Sequence, residues 1–217
     1  MKVLITGTSK GIGRSIAVKF LNEGHHVFGF DLLPSSIEHD KYNHFIIDVR
    51  KPETFPIIND FDIIINNAGT QTNTKEDIDV NLQGVINITE FYAFQENIKS
   101  VLTITSPSAL NGSEFPYYSA SKGGALAYTK NVALRIAKFS ATANCLSPGG
   151  VITNSNKHIL DSNNLTKQVL DETLLNKWMS EEEVADFAYF MTVINKSMTG
   201  ENIVVDNGEM LKSNFIW

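Results

Sequence analysis

Short uninterrupted apolar runs alternate along this chain with longer stretches in which apolar positions recur every three or four residues. The runs Val3-Leu4-Ile5-Thr6, His26-Val27-Phe28-Gly29-Phe30, Phe45-Ile46-Ile47, Ile63-Ile64-Ile65, Val101-Leu102-Thr103-Ile104-Thr105, Ala141 to Leu146 and Ile203-Val204-Val205 read as strands. Most are continuous rather than alternating, as expected of strands covered on both faces. Ile12, Ile16 and Phe20, with Ala17 and Leu21 beside them, form a helical stripe between the first two. A second helix is predicted from about Thr74 to Asn97 on Ile78, Leu82, Val85, Ile86, Thr89 and Tyr92. A third carries Tyr118 and continues through Leu126, Thr129, Ala133 and Ile136. A fourth follows the capping box Ser180 to Glu183, with Val184, Phe187, Ala188 and Met191 on its apolar face. Pro52 to Asn59 reads as a weak helix at best, Pro107 to Pro116 as a loop, and Asn154 to Met179 lacks a clean period.

Strands alternating with helices predict an α/β fold: a Rossmann-type doubly wound parallel sheet of about seven strands, helices on both faces, three layers in all. We expect one domain over residues 1–217, a length sufficient for a substantial core. Ligands of such sheets lie at the carboxyl ends of the strands. Composition narrows the partners. A formal charge of -6 argues against a generic nucleic-acid binder, and no apolar run is long enough to span a membrane. The one cysteine, Cys145, excludes an intramolecular disulfide and reads as a small hydrophobe in a strand. The histidines show no metal spacing. With no secretory signal at the start, the expected location is the cytoplasm.

Candidate chemistry collects at the expected strand ends. Gly7-Thr8-Ser9-Lys10-Gly11-Ile12-Gly13 lies between the first strand and its helix, the context a dinucleotide needs. Glycines there permit the tight turn and the close approach to a pyrophosphate, and the helix N-terminus offers N–H donors. Asp31 closes the second strand, 18 residues after Gly13, near the spacing of about 20 at which an acid meets the adenosine ribose. A carboxylate there would repel a 2′-phosphate and favour NAD over NADP. Lys10 pulls the other way, but short-range like-charge contact rejects a ligand more firmly than one flexible lysine recruits it. Asp31 could also be an acid that merely starts a turn. Asn66-Asn67-Ala68-Gly69 and Ser106 follow two further strands, and Ser147-Pro148-Gly149-Gly150 forms a turn after the sixth. Tyr118 and Lys122 sit one helical turn apart, where an ammonium favours the phenolate and suits the tyrosine to proton transfer at a carbonyl or alcohol oxygen. In isolation the pair would more often be a half-buried aromatic with a lysine stem beside it.

Taken together these motifs resemble the short-chain dehydrogenase/reductase family, in its common branch of about 250-residue enzymes. Thr6-Gly7 with Gly11-Ile12-Gly13, Asn66 to Gly69, Asn81, Ser106, Tyr118, Lys122, Pro148-Gly149 with Thr153, and Val205-Asp206 with Gly208 carry the likeness in order, nearly end to end. The resemblance implies Tyr118 as general acid/base, Ser106 binding the substrate oxygen, Lys122 lowering the Tyr118 pKa and holding the nicotinamide ribose, and Asn81 placing a proton-relay water. It implies cofactor contacts from Gly7, Ser9, Lys10, Gly11, Ile12, Gly13, Asp31, Asp48, Val49, Asn67, Ala68, Gly69, Tyr118, Lys122, Pro148, Gly149, Val151 and Thr153, and no metal. It also implies a substrate lid over about 154–179 and a homodimer or homotetramer paired through the helices of Asn81 and Tyr118. The expected activity is hydride transfer between NAD(H) and a small alcohol or ketone. The alternatives are an NADPH-dependent 3-oxoacyl-carrier-protein reductase and a non-catalytic dinucleotide sensor or scaffold. The chain departs from the family in a short connection between Gly69 and Asn81, a short segment from Asp31 to Asp48, and Asn207 in place of a usual glycine.

Overall fold

A computed structural model of the chain describes residues 1–113 and 115–212, with Ser155 and His158 described by their backbone alone. Seven parallel strands form one sheet in the order β3-β2-β1-β4-β5-β6-β7. They are β1 Lys2–Thr6, β2 His26–Asp31, β3 Tyr42–Ile46, β4 Ile63–Asn66, β5 Ser100–Ile104, β6 Thr142–Pro148 and β7 Asn202–Val205. The order reverses at β1, so the crevice between the carboxyl ends of β1 and β4 is the natural ligand site.

The unbroken apolar runs follow from burial on both faces. Val3, Ile5, Ile63 and Ile65 pack on one side with Ile16, Ala17 and Phe20 of α1 (Gly11–Asn22) and with Val184, Ala185 and Ala188 of α8 (Glu181–Tyr189). Leu4 and Ile64 pack on the other with Ile88 and Tyr92 of α3 (Val85–Tyr92) and with Val132, Ala133 and Ile136 of α5 (Pro116–Ile136). Each central strand thus feeds two cores, which requires apolar residues at consecutive positions.

The remaining helices are short. The segment before α3 is α2 (Lys75–Ile78) followed by a wide π turn over Asp79–Gly84, and the helical run stops at Tyr92 rather than near Asn97. α4 (Ser108–Asn111) replaces the loop expected after β5, and Pro52 to Asn59 keeps only one tight turn at Pro52–Thr54. The aperiodic region after β6 contains α6 (Lys157–Leu160) and α7 (Asn163–Asp171), the latter capped by the Ser162 hydroxyl accepting from Leu165 N–H. Ser180 and Glu183 form the expected capping box of α8.

The edge strand β3 starts three residues earlier than its apolar run, because Tyr42 is anchored by its hydroxyl. That hydroxyl donates to Thr8 Oγ1 at 2.8 Å beneath Gly29, where a Cβ would stand 2.1 Å from the Tyr42 oxygen and 2.4 Å from Thr8 Oγ1. Gly29→Ala should therefore wedge β2 away from the glycine loop and cost about 1–3 kcal/mol as an overpacking change. Urea unfolding measures it, and an unchanged midpoint would remove the constraint we assign to this contact.

Candidate active site

The glycine loop is closed by the end of β4. Asn67 Nδ2 donates to the carbonyls of Thr6 at 2.9 Å and Gly7 at 3.2 Å, while the N–H groups of Asn67 and Ala68 both donate to Thr6 Oγ1 at 3.0 Å. A Cβ on Gly13 would lie 2.1 Å from Gly7 O and 2.3 Å from Asn67 Nδ2, so only glycine lets α1 approach this closely. Gly7 and Gly11 have φ of +76° and +63°, conformations open to glycine at little cost. α1 has no side-chain cap at Lys10, leaving its first N–H groups facing the crevice for an anion. This uncapped terminus over a glycine cradle fits a dinucleotide pyrophosphate.

On the adenosine side, Asp31 Oδ2 accepts from Ser9 N–H and Oδ1 from Leu33 N–H, each at 2.9 Å. The carboxylate therefore does start a turn, and its bond to Ser9 ties it to the glycine loop. Ser9 Oγ donates to Leu33 O at 3.1 Å, and Ser36 Oγ donates to Ser9 O at 2.7 Å and accepts from Arg14 Nε at 3.1 Å. Lys10 is exposed beside them, and Ile12 is half-buried against the α1 core. Asp48 is gripped by Arg50, whose Nε and Nη2 each lie 2.8 Å from a carboxylate oxygen and whose Nη1 reaches Glu76 at 3.3 Å. Val49 packs under Gly84, where a Cβ would meet Val49 Cγ2 at 2.5 Å.

At the other end of the crevice, Pro148 closes the β6–β7 ladder opposite Val205, and Gly149 N–H donates to Val205 O at 3.0 Å. The strand runs to Pro148, so the turn begins at Gly149, two residues later than expected. Gly149 has no room for a Cβ against Asp206, nor Gly150 against the Trp178 indole. Val151 is buried and bridges Met179, which brings the start of the 154–179 segment and its end together; Thr153 follows half-exposed. Asn207 takes φ +55°, so the residue standing where a glycine is usual adopts the left-handed conformation that asparagine tolerates best.

Of the four candidate catalytic residues, Tyr118, Lys122 and Asn81 are linked by contacts, and Ser106 stands two residues beyond the Ile104 carbonyl that holds Lys122. Ser106 is buried just beyond β5 and accepts from Ser108 N–H at 3.3 Å. Pro116 at the first position of α5 sets the helix that carries Tyr118 and Lys122. Lys122 is buried; its Nζ donates to Ile104 O at 3.0 Å and stands 5.6 Å from the centre of the Tyr118 ring. Asn81 lies in the π turn, a local widening frequent at functional sites. Its Oδ1 accepts from Thr70 N–H at 2.7 Å, and its Nδ2 donates to Thr70 O at 2.8 Å and Ser121 Oγ at 3.0 Å. Ser121 Oγ in turn donates to Tyr118 O at 2.7 Å. A Cβ on Gly69 would be 3.1 Å from Asn81 Oδ1 and 3.5 Å from Lys122 Nζ, so these two polar groups face the same point. Ser121, Asp77 and Arg50 were missed from the sequence. Ser121 was findable, because it lies three residues after Tyr118 on the same helix. Cys145 is inert, its thiol pushed up to about 11 by burial in β6. Among the described residues no cluster of three or more His, Cys, Asp or Glu could hold a metal, and no helix is long and apolar enough to cross a membrane.

A glycine cradle at the switch point and a Tyr–Lys pair across the crevice define a dinucleotide-binding α/β enzyme. A family model described as Enoyl-(Acyl carrier protein) reductase matches residues 53–209. The 3-oxoacyl-[acyl-carrier-protein] reductase FabG of Staphylococcus epidermidis is 28% identical over 238 residues, covering 94% of this chain and 97% of the relative. A protein of Agrobacterium tumefaciens, proposed to be a 2-deoxy-d-gluconate 3-dehydrogenase and solved with bound NADP, superposes with a TM-score of 0.88 at 25% identity, over 97% of this chain and 96% of that one. Thermoplasma acidophilum aldohexose dehydrogenase shares the fold, with a TM-score of 0.87 at 23% identity over 100% of this chain and 96% of that one. The chain belongs to the short-chain dehydrogenase/reductase family. It is a nicotinamide-dependent oxidoreductase.

The Arg50 fork makes a titration prediction. Its hydrogen bonds hold Asp48 below its ordinary value. A carboxyl depressed by folding stabilises the chain above its unfolded pKa, and that share is lost as pH falls through the folded one. Arg50→Ala should return Asp48 toward the ordinary carboxylate range and flatten that part of the acid unfolding limb. Carboxyl-carbon NMR reads the shift, and an unmoved Asp48 would contradict the assigned cause.

Proposed function

We propose that the chain transfers hydride between NAD(H) and a small alcohol or ketone, with Tyr118 as general acid/base. The observation that carries this is the buried Lys122, whose ammonium is pinned to Ile104 O while standing one helical turn from Tyr118. An ammonium held there favours the phenolate and so eases proton movement at the substrate oxygen. When bound, the nicotinamide supplies or takes up the hydride at the substrate carbon. Ser106 hydrogen-bonds the substrate oxygen, and Lys122 holds the nicotinamide ribose. Asn81, whose side-chain amide is committed to Thr70 and Ser121, serves by fixing this geometry, so any relay water would have to use other atoms. The backbone from Gly7 to Gly13, with Ser9, Lys10, Gly11 and Ile12, receives the pyrophosphate side. Asp31, Asp48, Val49 and Asn67 to Gly69 border adenosine, and Pro148, Gly149, Val151 and Thr153 border nicotinamide. Residues 154–179 form the substrate lid of this single domain.

NAD is preferred because the Asp31 carboxylate, tied to the glycine loop by Ser9 N–H, meets a 2′-phosphate with like charge. The second reading, an NADPH-dependent 3-oxoacyl-carrier-protein reductase, is favoured by the named relatives and by exposed Lys10. A non-catalytic sensor ranks below both, since Tyr118 and Lys122 are both retained. Exposed Phe91 on α3 and Leu134 on α5 suit pairing through these helices into a homodimer or homotetramer, and the buried lone thiol suits the cytoplasm.

Two measurements test the proposal. On a panel of small alcohols and ketones, Tyr118→Phe should lower kcat by about 10²–10⁴-fold with the NADH dissociation constant nearly unchanged; full activity in the variant would sink the assignment. In fluorescence titrations NADH should bind more tightly than NADPH, and Asp31→Ala should shift the ratio toward NADPH by roughly tenfold or more. Tighter NADPH binding to the unaltered chain would favour the second reading.

A further inference from the structure

Asp77 has no part in the proton transfer just described, yet its side chain is completely buried. A carboxylate removed from water requires donors, and all of those the structure gives it come from one loop. Oδ1 accepts from Thr70 Oγ1 at 3.0 Å, Thr72 N–H at 2.8 Å and Thr72 Oγ1 at 3.1 Å. Oδ2 accepts from Asn73 N–H at 2.9 Å. One helical turn later, Asn81 takes the N–H and carbonyl of the same Thr70. Thr70 is therefore held at its backbone by Asn81 and at its hydroxyl by Asp77. The spare N–H of Asn81 continues to Ser121, and Ser121 to the carbonyl of Tyr118.

Thr70 cannot leave this position without stripping a donor from a buried carboxylate, a change that costs more than an ordinary surface hydrogen bond. We propose that Asp77 is a positioning residue for the Tyr118–Lys122 pair. It fixes Thr70, through Thr70 the amide of Asn81, and through Asn81 and Ser121 the first turns of α5. Asn81 Oδ1 and Lys122 Nζ face the same point beside Gly69, so loosening the amide also loosens the seat of the ammonium. The proposal rests on the reading of Tyr118 as the acid/base.

The test uses the full chain and needs no identified substrate. Ionisation of Tyr118 is read as tyrosinate ultraviolet absorbance, each variant being compared with the same variant carrying Tyr118→Phe. NADH affinity is read by fluorescence. Asp77→Asn keeps the size but turns an N–H group toward the loop's own donors. It should raise the pH at which Tyr118 ionises by upwards of about half a unit as Lys122 relaxes away. Asn81→Ala should move it in the same direction. The double variant should go no further than the larger single one, because the two residues act through one Thr70. NADH affinity should weaken in the same variants, because the displaced Lys122 is also the group assigned to the nicotinamide ribose. A purely structural Asp77 would lower the unfolding temperature and leave Tyr118 unmoved. An unchanged Tyr118 titration in a folded variant, or additive shifts in the double variant, overturns the proposal. If Asp77→Asn does not fold, Thr70→Val removes the shared hydroxyl at nearly constant size. The same upward shift then supports the proposal, and its absence overturns it. Full turnover by Tyr118→Phe would instead remove the acid/base reading while leaving the titration result to stand or fall separately.

Discussion

The structure depends most on the junction where the side chain of Asn67 closes over the ends of β1 and the glycine loop. Two stretches about sixty residues apart, Thr6 to Gly13 and Asn67-Ala68, meet there, and neither has room to adjust. Gly13 admits no Cβ, Gly7 adopts a left-handed backbone, and Thr6 Oγ1 takes the N–H groups of the two residues just after β4. The strand end of β4 has no sheet partner for those groups, so this hydroxyl satisfies donors that would otherwise be orphaned beside a crevice. The same closure aims the N-terminus of α1 outward. A cradle for an anion is thus a consequence of how β1 and β4 are tied.

Much of this was legible in the residues, for a physical reason. Strands buried on both faces must be apolar at successive positions, as Val3-Leu4-Ile5 and Ile63-Ile64-Ile65 are, and so they announce themselves. The edge strand β3 is half-exposed, and its start at Tyr42 depends on a hydroxyl reaching Thr8 across 34 positions, which no local pattern carries. The π turn at Asp79–Gly84 was equally hidden, because it preserves the apolar face while changing which backbone groups pair. Strand ends suffered the same way: β6 gains Ser147 and Pro148 from pairing with β7, a partner far along the chain.

The site divides along the same line. Tyr118, Lys122 and Ser106 could be named because a helical turn and a strand end mark them in sequence, whereas Asn81 came only with the family resemblance. The groups that hold them could not. Asp31 looked like a choice between ribose acceptor and turn starter, and backbone donors from Ser9 and Leu33 show the turn, which ties the carboxylate to the glycine loop. Asp48 is gripped by Arg50, which no local pattern announces, and the same guanidinium reaches Glu76.

The connection between Gly69 and Asn81 is one place where the chain is shorter than its family's usual pattern, and a polar tether holds it. A long loop can be held by burying apolar side chains, a force that is strong but without direction. A loop of three threonines, one glutamine and one asparagine has no such area to bury. Hydrogen bonds to a buried carboxylate and a buried amide constrain it instead, and they constrain orientation as well as distance. Desolvating Asp77 is costly, so the arrangement holds only while every donor stays in place, which makes the loop either correctly formed or absent. An apolar contact would hold the loop more loosely and would leave the orientation of Thr70 and Asn81 free.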